Sequence, residues 1–277
     1  MIPASFEYRR ASSLKEAVQL LGSEEDAKLL AGGHSLLPLM RLRLARPATL
    51  VDIARVEGLS YVRKSGKEFA IGALTRHHDL ASDAALAKGC PILSYTASQI
   101  GDPSVRHVGT IGGSVAHADP ASDLPTVLLA LGATFVITGP KKERTVAAAD
   151  FFQGLFTADL AADEVLTEIR VPETGARGWS YQKFRRRAQD WAVVGVAALA
   201  ANGSGPAVAL TSMGDRPLRA KGVEEALAGG ADAATAAERA AEGTSPPSDA
   251  FASAEYRTEV SKVIVRRALE EAAGRGR

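Results

Sequence analysis

Two glycine pairs, Gly32-Gly33 and Gly112-Gly113, constrain the fold of this chain more than any other feature of the sequence. Each pair has small polar neighbours and precedes an apolar run. Adjacent positions without side chains give up packing and add backbone entropy, so they indicate a place where something approaches the main chain closely. Backbone N–H groups turned inward at such a place form a nest for an anion, and a diphosphate suits that arrangement. A plain turn is the alternative at either pair taken alone.

The charge balance narrows the kind of ligand. The 277 residues include 33 basic and 32 acidic groups, which gives a formal net charge of +1. A general binder of nucleic acid or of anionic membranes needs a basic excess, so we expect small molecules or proteins as ligands and no nucleic acid. No segment approaches the roughly 20 apolar residues of a membrane span, and no apolar signal region opens the sequence. These features predict a cytoplasmic protein.

Several common redox and nucleotide sites are excluded. Cys90 is the only cysteine, so the chain forms no internal disulfide and cannot hold an iron–sulfur cluster, which takes four thiolates. Any such cluster therefore belongs to another chain. Neither the dinucleotide-binding pattern G-x-G-x-x-G after a strand nor the P-loop pattern occurs, so the phosphate site is of another design.

The apolar pattern predicts an α+β chain in three parts, residues 1–56, 57–172 and 173–277. The first part begins with a strand and a helix that a capping box from Ser13 to Glu16 opens, and its glycine pair follows a second strand. Shorter strands with an antiparallel pattern begin after about Val56. The third part reads as three strands and then three helices.

Two helices of the second part are predicted in more detail. Thr75 is expected to cap one continuous helix through "RHHDLASDAALAKG", with His77 and His78 on its solvated face. The later segment "LPTVLLALG" is apolar all round, which predicts a buried helix.

Four motifs carry a resemblance to a known family: "AGGHS" at 31–35, "QIGDPSVRHVGTIGGSVAHADPASDLP" at 99–125, "DEVLTEIRVP" at 163–172 and "FRRRAQDWAVV" at 184–194. Together they resemble the FAD-binding medium subunits of molybdenum hydroxylases, the family of the carbon monoxide dehydrogenase medium chain and the xanthine dehydrogenase flavin domain. The resemblance covers nearly the whole chain in the same order and spacing. It implies a vanillyl-alcohol-oxidase-type (PCMH) FAD-binding domain of two α+β subdomains, and a C-terminal domain of a three-stranded antiparallel sheet with three helices.

The resemblance also implies which residues contact FAD. Those of the two glycine loops line the diphosphate: Ala31, Gly32, Gly33, His34, Ser35, Thr110, Ile111, Gly112, Gly113 and Ser114. Asp123 resembles an acceptor for the ribityl or ribose hydroxyls, with a helix N-cap as the alternative. Leu166 matches a position whose backbone approaches the cofactor, with ordinary strand core as the alternative, and Lys183 approximately matches a cation near the flavin. The family often has Asn where Ser114 stands, so a side-chain contact there stays open.

Three further features of the sequence each have a functional and a structural interpretation. Trp191 either stacks on the cofactor ring or lies in the core. The run Arg185-Arg186-Arg187 either docks the iron–sulfur partner or the anionic cofactor, or forms a solvated strand face, the last being the more common use of such a run. The acidic and histidine side chains of "HADPASD" match metal ligands in kind, but no second cluster completes a site, so we predict no metal.

The function implied by the resemblance is an oxidoreductase subunit with no catalytic residue of its own. Its FAD accepts electrons from the [2Fe-2S] clusters of a small subunit, after substrate oxidation at a molybdenum cofactor on a large subunit, and passes them to an external acceptor. The resemblance implies a dimer of such heterotrimers. A stand-alone FAD-dependent oxidase and a cofactor-free interaction subunit are the alternatives.

Overall fold

The computed structural model describes residues 2–201, 203 and 205–276. The N-terminal segment of the chain forms a small parallel sheet. Its elements are β1 (Glu7–Arg10), α1 (Leu14–Ser23), β2 (Ala27–Leu30), α2 (Leu36–Arg41) and β3 (Thr49–Asp52), and the strand order is β1-β3-β2. Ser13 caps α1 by accepting from the Glu16 N–H at 3.2 Å. The expected capping box is altered, because the Glu16 carboxylate accepts from the N–H of Ser12 at 2.7 Å.

The middle segment is built on a five-stranded antiparallel sheet with helices packed against it. Its elements are β4 (Val62–Ser65), β5 (Glu68–Gly72), α3 (His77–Ser82), α4 (Ala84–Gly89), α5 (Pro91–Ser98), α6 (Pro103–Arg106), α7 (Ile111–His117), α8 (Asp123–Leu131), β6 (Thr134–Thr138), β7 (Glu143–Ala147), α9 (Ala148–Phe151), β8 (Phe152–Gly154), β9 (Thr157–Ala158) and β10 (Val165–Pro172). The sheet order is β4-β5-β10-β6-β7, and β8 and β9 form a separate hairpin. Helix α8 is buried along its whole length, as predicted.

The helix predicted after Thr75 is wrong in two respects. It is divided into α3 and α4, because the Asp83 carboxylate accepts from the Leu86 N–H at 2.7 Å and so begins a new helix. The Thr75 hydroxyl is not a cap, since it donates to the Tyr61 carbonyl at 2.9 Å. His77 lies in the core at 5% exposure, whereas His78 is exposed as predicted.

The C-terminal segment is an antiparallel sheet covered by helices. Its elements are β11 (Trp179–Phe184), β12 (Val194–Leu199), β13 (Ala207–Thr211), β14 (Leu218–Arg219), α10 (Lys221–Ala228), α11 (Ala233–Ala237) and α12 (Ala254–Arg275). The prediction of three strands is wrong, because β14 adds a fourth opposite Ala209 and Leu210. A two-residue strand is too short for alternation to reveal it, and Leu218 and Arg219 read as the start of the next helix.

Both faces of the C-terminal sheet are buried, and they belong to different cores. One face, with Tyr181, Ala197 and Leu199, packs in the same cluster as α8. The other, with Val196 and Val208, packs in the cluster that contains α12. Burial on both faces explains the almost continuous apolar run of β12.

The α+β class is therefore confirmed. One face of the C-terminal sheet shares a hydrophobic core with the middle segment. Among the described residues, none of the helices combines the length and apolar character that a membrane crossing requires.

Candidate functional site

The first glycine loop presents a run of unused backbone amides. It joins β2 to α2, and within the described chain no acceptor is found for the N–H groups of its five residues, Ala31, Gly32, Gly33, His34 and Ser35. The Ser35 hydroxyl makes no capping hydrogen bond, and the His34 side chain is exposed. Open N–H groups in succession form a nest for an anion, so this loop can hold a phosphate through the main chain.

The two glycines of this loop are needed for different reasons. Gly33 has φ of +73°, which a residue with a side chain adopts only with strain. A Cβ on Gly32 would lie 2.2 Å from the Val108 carbonyl oxygen and 3.0 Å from the Gly109 Cα. The chain segment that leads into the second glycine loop therefore packs directly against the main chain at Gly32.

The second glycine loop differs, because the amides of Ile111, Gly112, Gly113 and Ser114 are already used within the protein. Thr110 caps α7 and accepts from the Gly113 N–H at 3.2 Å. The N–H groups of Ile111, Gly112 and Ser114 donate to Thr75, Ala73 and Thr110 carbonyls at 3.0, 2.8 and 3.1 Å. Diphosphate binding by these residues stays a prediction, and what the loop leaves open is the exposed surface of Gly113 and the Ser114 hydroxyl, which has no partner among the described residues.

Gly112 is explained by packing. A Cβ there would lie 2.5 Å from the Cβ of Ala73 and 2.7 Å from its carbonyl oxygen, so α7 sits directly on the chain after β5. At Gly113, apart from its chain neighbours and the backbone of α7 itself, the Thr110 hydroxyl is the only described group within 4 Å of an added Cβ, at 2.9 Å.

Asp123 and Lys183, predicted separately, form one buried ion pair. The Lys183 ammonium donates to Asp123 Oδ2 at 2.8 Å and to the Gln99 carbonyl at 3.3 Å, and the Tyr181 hydroxyl donates to Asp123 Oδ1 at 2.5 Å. Their side chains are 4% (Asp123) and 6% (Lys183) exposed. Burial raises the pKa of the Asp123 carboxyl, and the charge and hydrogen bond of Lys183 oppose that shift. The pair joins α8 to the C-terminal sheet.

The structure excludes the alternative interpretation of Asp123 as a helix N-cap, and it supports the alternative interpretation of Leu166 as strand core. Asp123 is not an N-cap, since it is the first residue of α8 and Ser122 precedes it as the cap. The Leu166 side chain is 5% exposed and belongs to the core of the middle segment. An approach of its backbone to a cofactor stays a prediction.

Sequence reasoning missed two groups at this site. Tyr181 shares the face of β11 with Lys183 because it lies two residues earlier, a spacing that the sequence does reveal. His77 packs under Gly109, where an added Cβ would lie 2.9 Å from the imidazole Cδ2. Burial lowers the pKa of His77 to about 4, so the ring is neutral at pH 7, and its Nδ1 has no partner among the described residues.

Trp191 and the arginine run lie at the end of the β11–β12 hairpin. Trp191 is 53% exposed, so the interpretation as a core tryptophan is wrong. Arg186 and Arg187 are exposed and Arg185 is half-buried. All three cations are therefore accessible, and their role stays a prediction.

Comparison with known proteins places this geometry in a family. The model of the FAD binding domain in molybdopterin dehydrogenase matches residues 4–174, and that of the CO dehydrogenase flavoprotein C-terminal domain matches residues 179–272. The chain belongs to the FAD-binding medium subunits of the molybdenum hydroxylases. This confirms the resemblance, the FAD cofactor and the oxidoreductase class. The division into residues 1–56, 57–172 and 173–277 stays a prediction.

Two relatives and one solved structure match this chain over almost its full length. The medium subunit is 41% identical to the carbon monoxide dehydrogenase medium chain of Afipia carboxidovorans, covering 100% of both chains. It is 40% identical to the glyceraldehyde dehydrogenase medium chain of Sulfolobus acidocaldarius, over 99% of this chain and 100% of the relative. The structure of a carbon monoxide dehydrogenase from Hydrogenophaga pseudoflava, which lacks the Mo-pyranopterin moiety of its cofactor, matches with a TM-score of 0.96 and 42% identity over 99% of both chains.

Proposed function

We propose that this medium subunit is the electron-transfer station between iron–sulfur clusters and an external acceptor. In the proposed complex a large subunit oxidises substrate at a molybdenum cofactor, and a small subunit carries electrons across two [2Fe-2S] clusters to the FAD held here. FAD supplies the ability to take up electrons one at a time and release them in pairs. The open amides of Ala31 to Ser35, in a chain of this family, are the observation that carries the proposal.

The residues present fit the cofactor, but they contribute unequally. The first-loop amides have no acceptor among the described residues and would hold the diphosphate through the main chain. At the second loop, the exposed Gly113 allows close approach and the Ser114 hydroxyl is free to donate. The remaining candidates are Thr110, Ile111 and Gly112, which shape that loop, together with Asp123, Leu166 and Lys183.

The Asp123–Lys183 pair would act on the flavin through its orientation. Tyr181 and Gln99 hold the two charged groups in place, so the ammonium cannot turn freely toward solvent. A fixed positive charge near the flavin N1–C2 edge stabilises the anionic reduced cofactor and raises its potential. The neighbouring carboxylate moderates that effect.

The need for partners follows from the cysteine content. Cys90 is the only cysteine of the chain and is fully buried, and burial raises the pKa of its thiol to about 12. Clusters therefore have to come from another subunit. The relatives' designation as medium chains supports small and large partners. The accessible Arg185-Arg186-Arg187 run is the proposed docking contact, and the dimer of heterotrimers and the cytoplasmic location stay predictions.

The cofactor site is tested by a matched pair of glycine variants. Gly33 and Gly66 have φ of +73° and +62°, so an alanine at either costs a similar backbone strain of about 1–2 kcal/mol. Only Gly33 lies in the first loop, where the new Cβ also meets Leu37 at 2.9 Å. We expect Gly33→Ala to weaken FAD binding about tenfold or more, and Gly66→Ala to leave it unchanged, as measured from the flavin absorption of the purified chain.

The outcomes separate the three functions. A wild-type chain that stays colourless with added FAD contradicts the proposal and favours a cofactor-free subunit. A chain that turns over an organic substrate without partners favours a stand-alone oxidase. Co-purification from the native host with molybdenum and iron, measured by metal analysis, is the result that the proposal requires.

A further inference from the structure

A cleft of about 390 Å³ lies at the C-terminal end of α8, where the middle and C-terminal segments meet. Its walls come from the last turn of α8, from the linker that follows β10, and from the chain at β13 and β14. Asp123 begins α8 and Leu131 ends it, so the helical rise separates the cleft from the Asp123–Lys183 pair by about 12 Å. The cleft is therefore distinct from the cofactor site.

Arg177 brings an uncompensated positive charge to this cleft. Its Nε donates to the Ala200 carbonyl at 2.6 Å, and its Nη2 donates to the Gly205 carbonyl at 2.7 Å. Both acceptors are neutral, and among the described residues no carboxylate pairs with this guanidinium. The two bonds hold the group in place, while its Nη1 finds no acceptor in the described part of the chain.

Arg219 adds a second guanidinium to the same cleft. Its Nε donates to the Glu224 carboxylate at 2.6 Å, and that carboxylate also accepts from the Val208 N–H at 2.7 Å. No acceptor among the described residues is found for either Nη of Arg219. Burial lowers the pKa of the Arg177 guanidinium, and the charge of Arg219 lowers it further. Two like charges at short range are unfavourable, and an anion between them removes the repulsion.

The carboxylates near the cleft do not cancel its positive charge. Glu173 is part of the lining, but Lys64 donates to its carboxylate at 2.7 Å. Glu224 is paired with Arg219. The charge of Arg177 is what these two ion pairs leave over. The carbonyl end of α8 contributes roughly half a negative charge, so the cleft stays positive.

The two guanidiniums favour an oxyanion with more than two oxygens. A carboxylate can satisfy one guanidinium fork with its two oxygens, whereas a phosphate has further oxygens for a second fork. The cleft volume of about 390 Å³ is at the lower end of the range for small-molecule sites. It leaves room for a small organic group beside the phosphate.

We propose that this cleft binds a phosphate group carried by a small organic ester, and that Arg177 and Arg219 contact that phosphate together. The inference goes beyond the proposed function, because no residue assigned to the cofactor takes part in it. A bound phosphate would join the linker after β10 to the C-terminal sheet, since Arg177 belongs to the first and Arg219 to the second.

The test is isothermal titration calorimetry of the FAD-loaded, full-length chain with glycerol 3-phosphate at constant ionic strength. The cofactor is included because the first glycine loop is a second candidate for a phosphate. We expect saturable binding that Arg219→Gln weakens about tenfold. Arg267→Gln on the exposed face of α12 changes the net charge equally and should leave the binding unchanged.

A second variant covers the case in which Arg219→Gln lowers stability, because that change also leaves Glu224 without its cation. Pro172→Glu adds a negative charge at an exposed position of the cleft lining and removes no side-chain hydrogen bond. It should weaken the binding by a similar factor. Thermal unfolding without ligand shows whether each variant remains folded.

The outcomes decide between this cleft and the first glycine loop. Binding that survives both Arg219→Gln and Pro172→Glu, or that is unsaturable, overturns the inference. Binding that is present without FAD, lost in Gly33→Ala and lost on FAD loading also overturns it, because the phosphate would then occupy the first loop. Tighter binding of inorganic phosphate than of glycerol 3-phosphate overturns the choice of an ester. A chain that binds the ester through Arg219 but takes up no FAD contradicts the proposed function and supports this inference.

Discussion

His77 connects the stability of the glycine loops to pH. Its imidazole is enclosed beneath Gly109, and burial lowers its pKa from 6.5 to about 4. In the unfolded chain the ring takes up a proton at its ordinary pKa of about 6.5. The unfolded state therefore binds more protons than the folded state between these two values, and acid favours unfolding in that window.

We expect the free energy of unfolding to fall by about 3 kcal/mol from this group as the pH is lowered from 6.5 to 4. His77→Gln removes the titrating ring, so urea denaturation across this range should show a shallower pH dependence. His78→Gln, at the exposed neighbour on α3, is the control and should keep the wild-type dependence. Equal slopes for His77→Gln and the wild type would show that the buried ring does not titrate as described.

The adjacent glycines of α7 should respond differently to replacement by alanine. Gly112→Ala places a Cβ 2.5 Å from the Ala73 Cβ, so α7 has to shift from β5, at a cost of about 1–3 kcal/mol. Gly113→Ala faces the surface, and the better helix propensity of alanine, about 1 kcal/mol, offsets its contact with the Thr110 cap. Thermal unfolding should show a clear loss for the first variant and a change near zero for the second. Equal effects on both would contradict the packing described for Gly112.

Helices, strands and site contacts could be predicted where neighbouring residues in the sequence determine them, and not where they depend on residues distant in the sequence. Helix α8 is fully buried, and the largely apolar sequence that follows Asp123 shows this directly. The break between α3 and α4 was missed because Asp83 fits a helical surface pattern as well as it fits a cap. The first-loop nest follows from a local glycine pattern, whereas the Asp123–Lys183 contact joins residues 60 positions apart and depends on tertiary packing.

At the scale of the whole molecule, the C-terminal sheet and the middle segment share one core, which the Asp123–Lys183 pair and the Thr211–Thr126 hydrogen bond of 2.7 Å reinforce. Lys183→Met leaves a buried carboxylate without its cation, and we expect a loss of about 3–5 kcal/mol in the free energy of unfolding. Lys183→Met with Asp123→Asn removes both charges, keeps an acceptor for Tyr181, and should recover most of the loss.

Urea denaturation followed by far-UV circular dichroism and by tryptophan fluorescence measures this directly. Because the core is shared, both signals should report one transition in the wild type and in the double variant. Two separated transitions, or a double variant as unstable as Lys183→Met, would contradict the coupling.

The continuity of this core limits how such subunits can be recombined. An exchange of the C-terminal portion between relatives, cut at the linker after Pro172, would pair a foreign sheet with the native α8. The incoming β11 to β13 would then have to suit an apolar helix and a carboxylate that they did not evolve against. Functional chimeras should therefore carry residues 120–131 together with residues 179–219, although the linker looks like the natural place to cut.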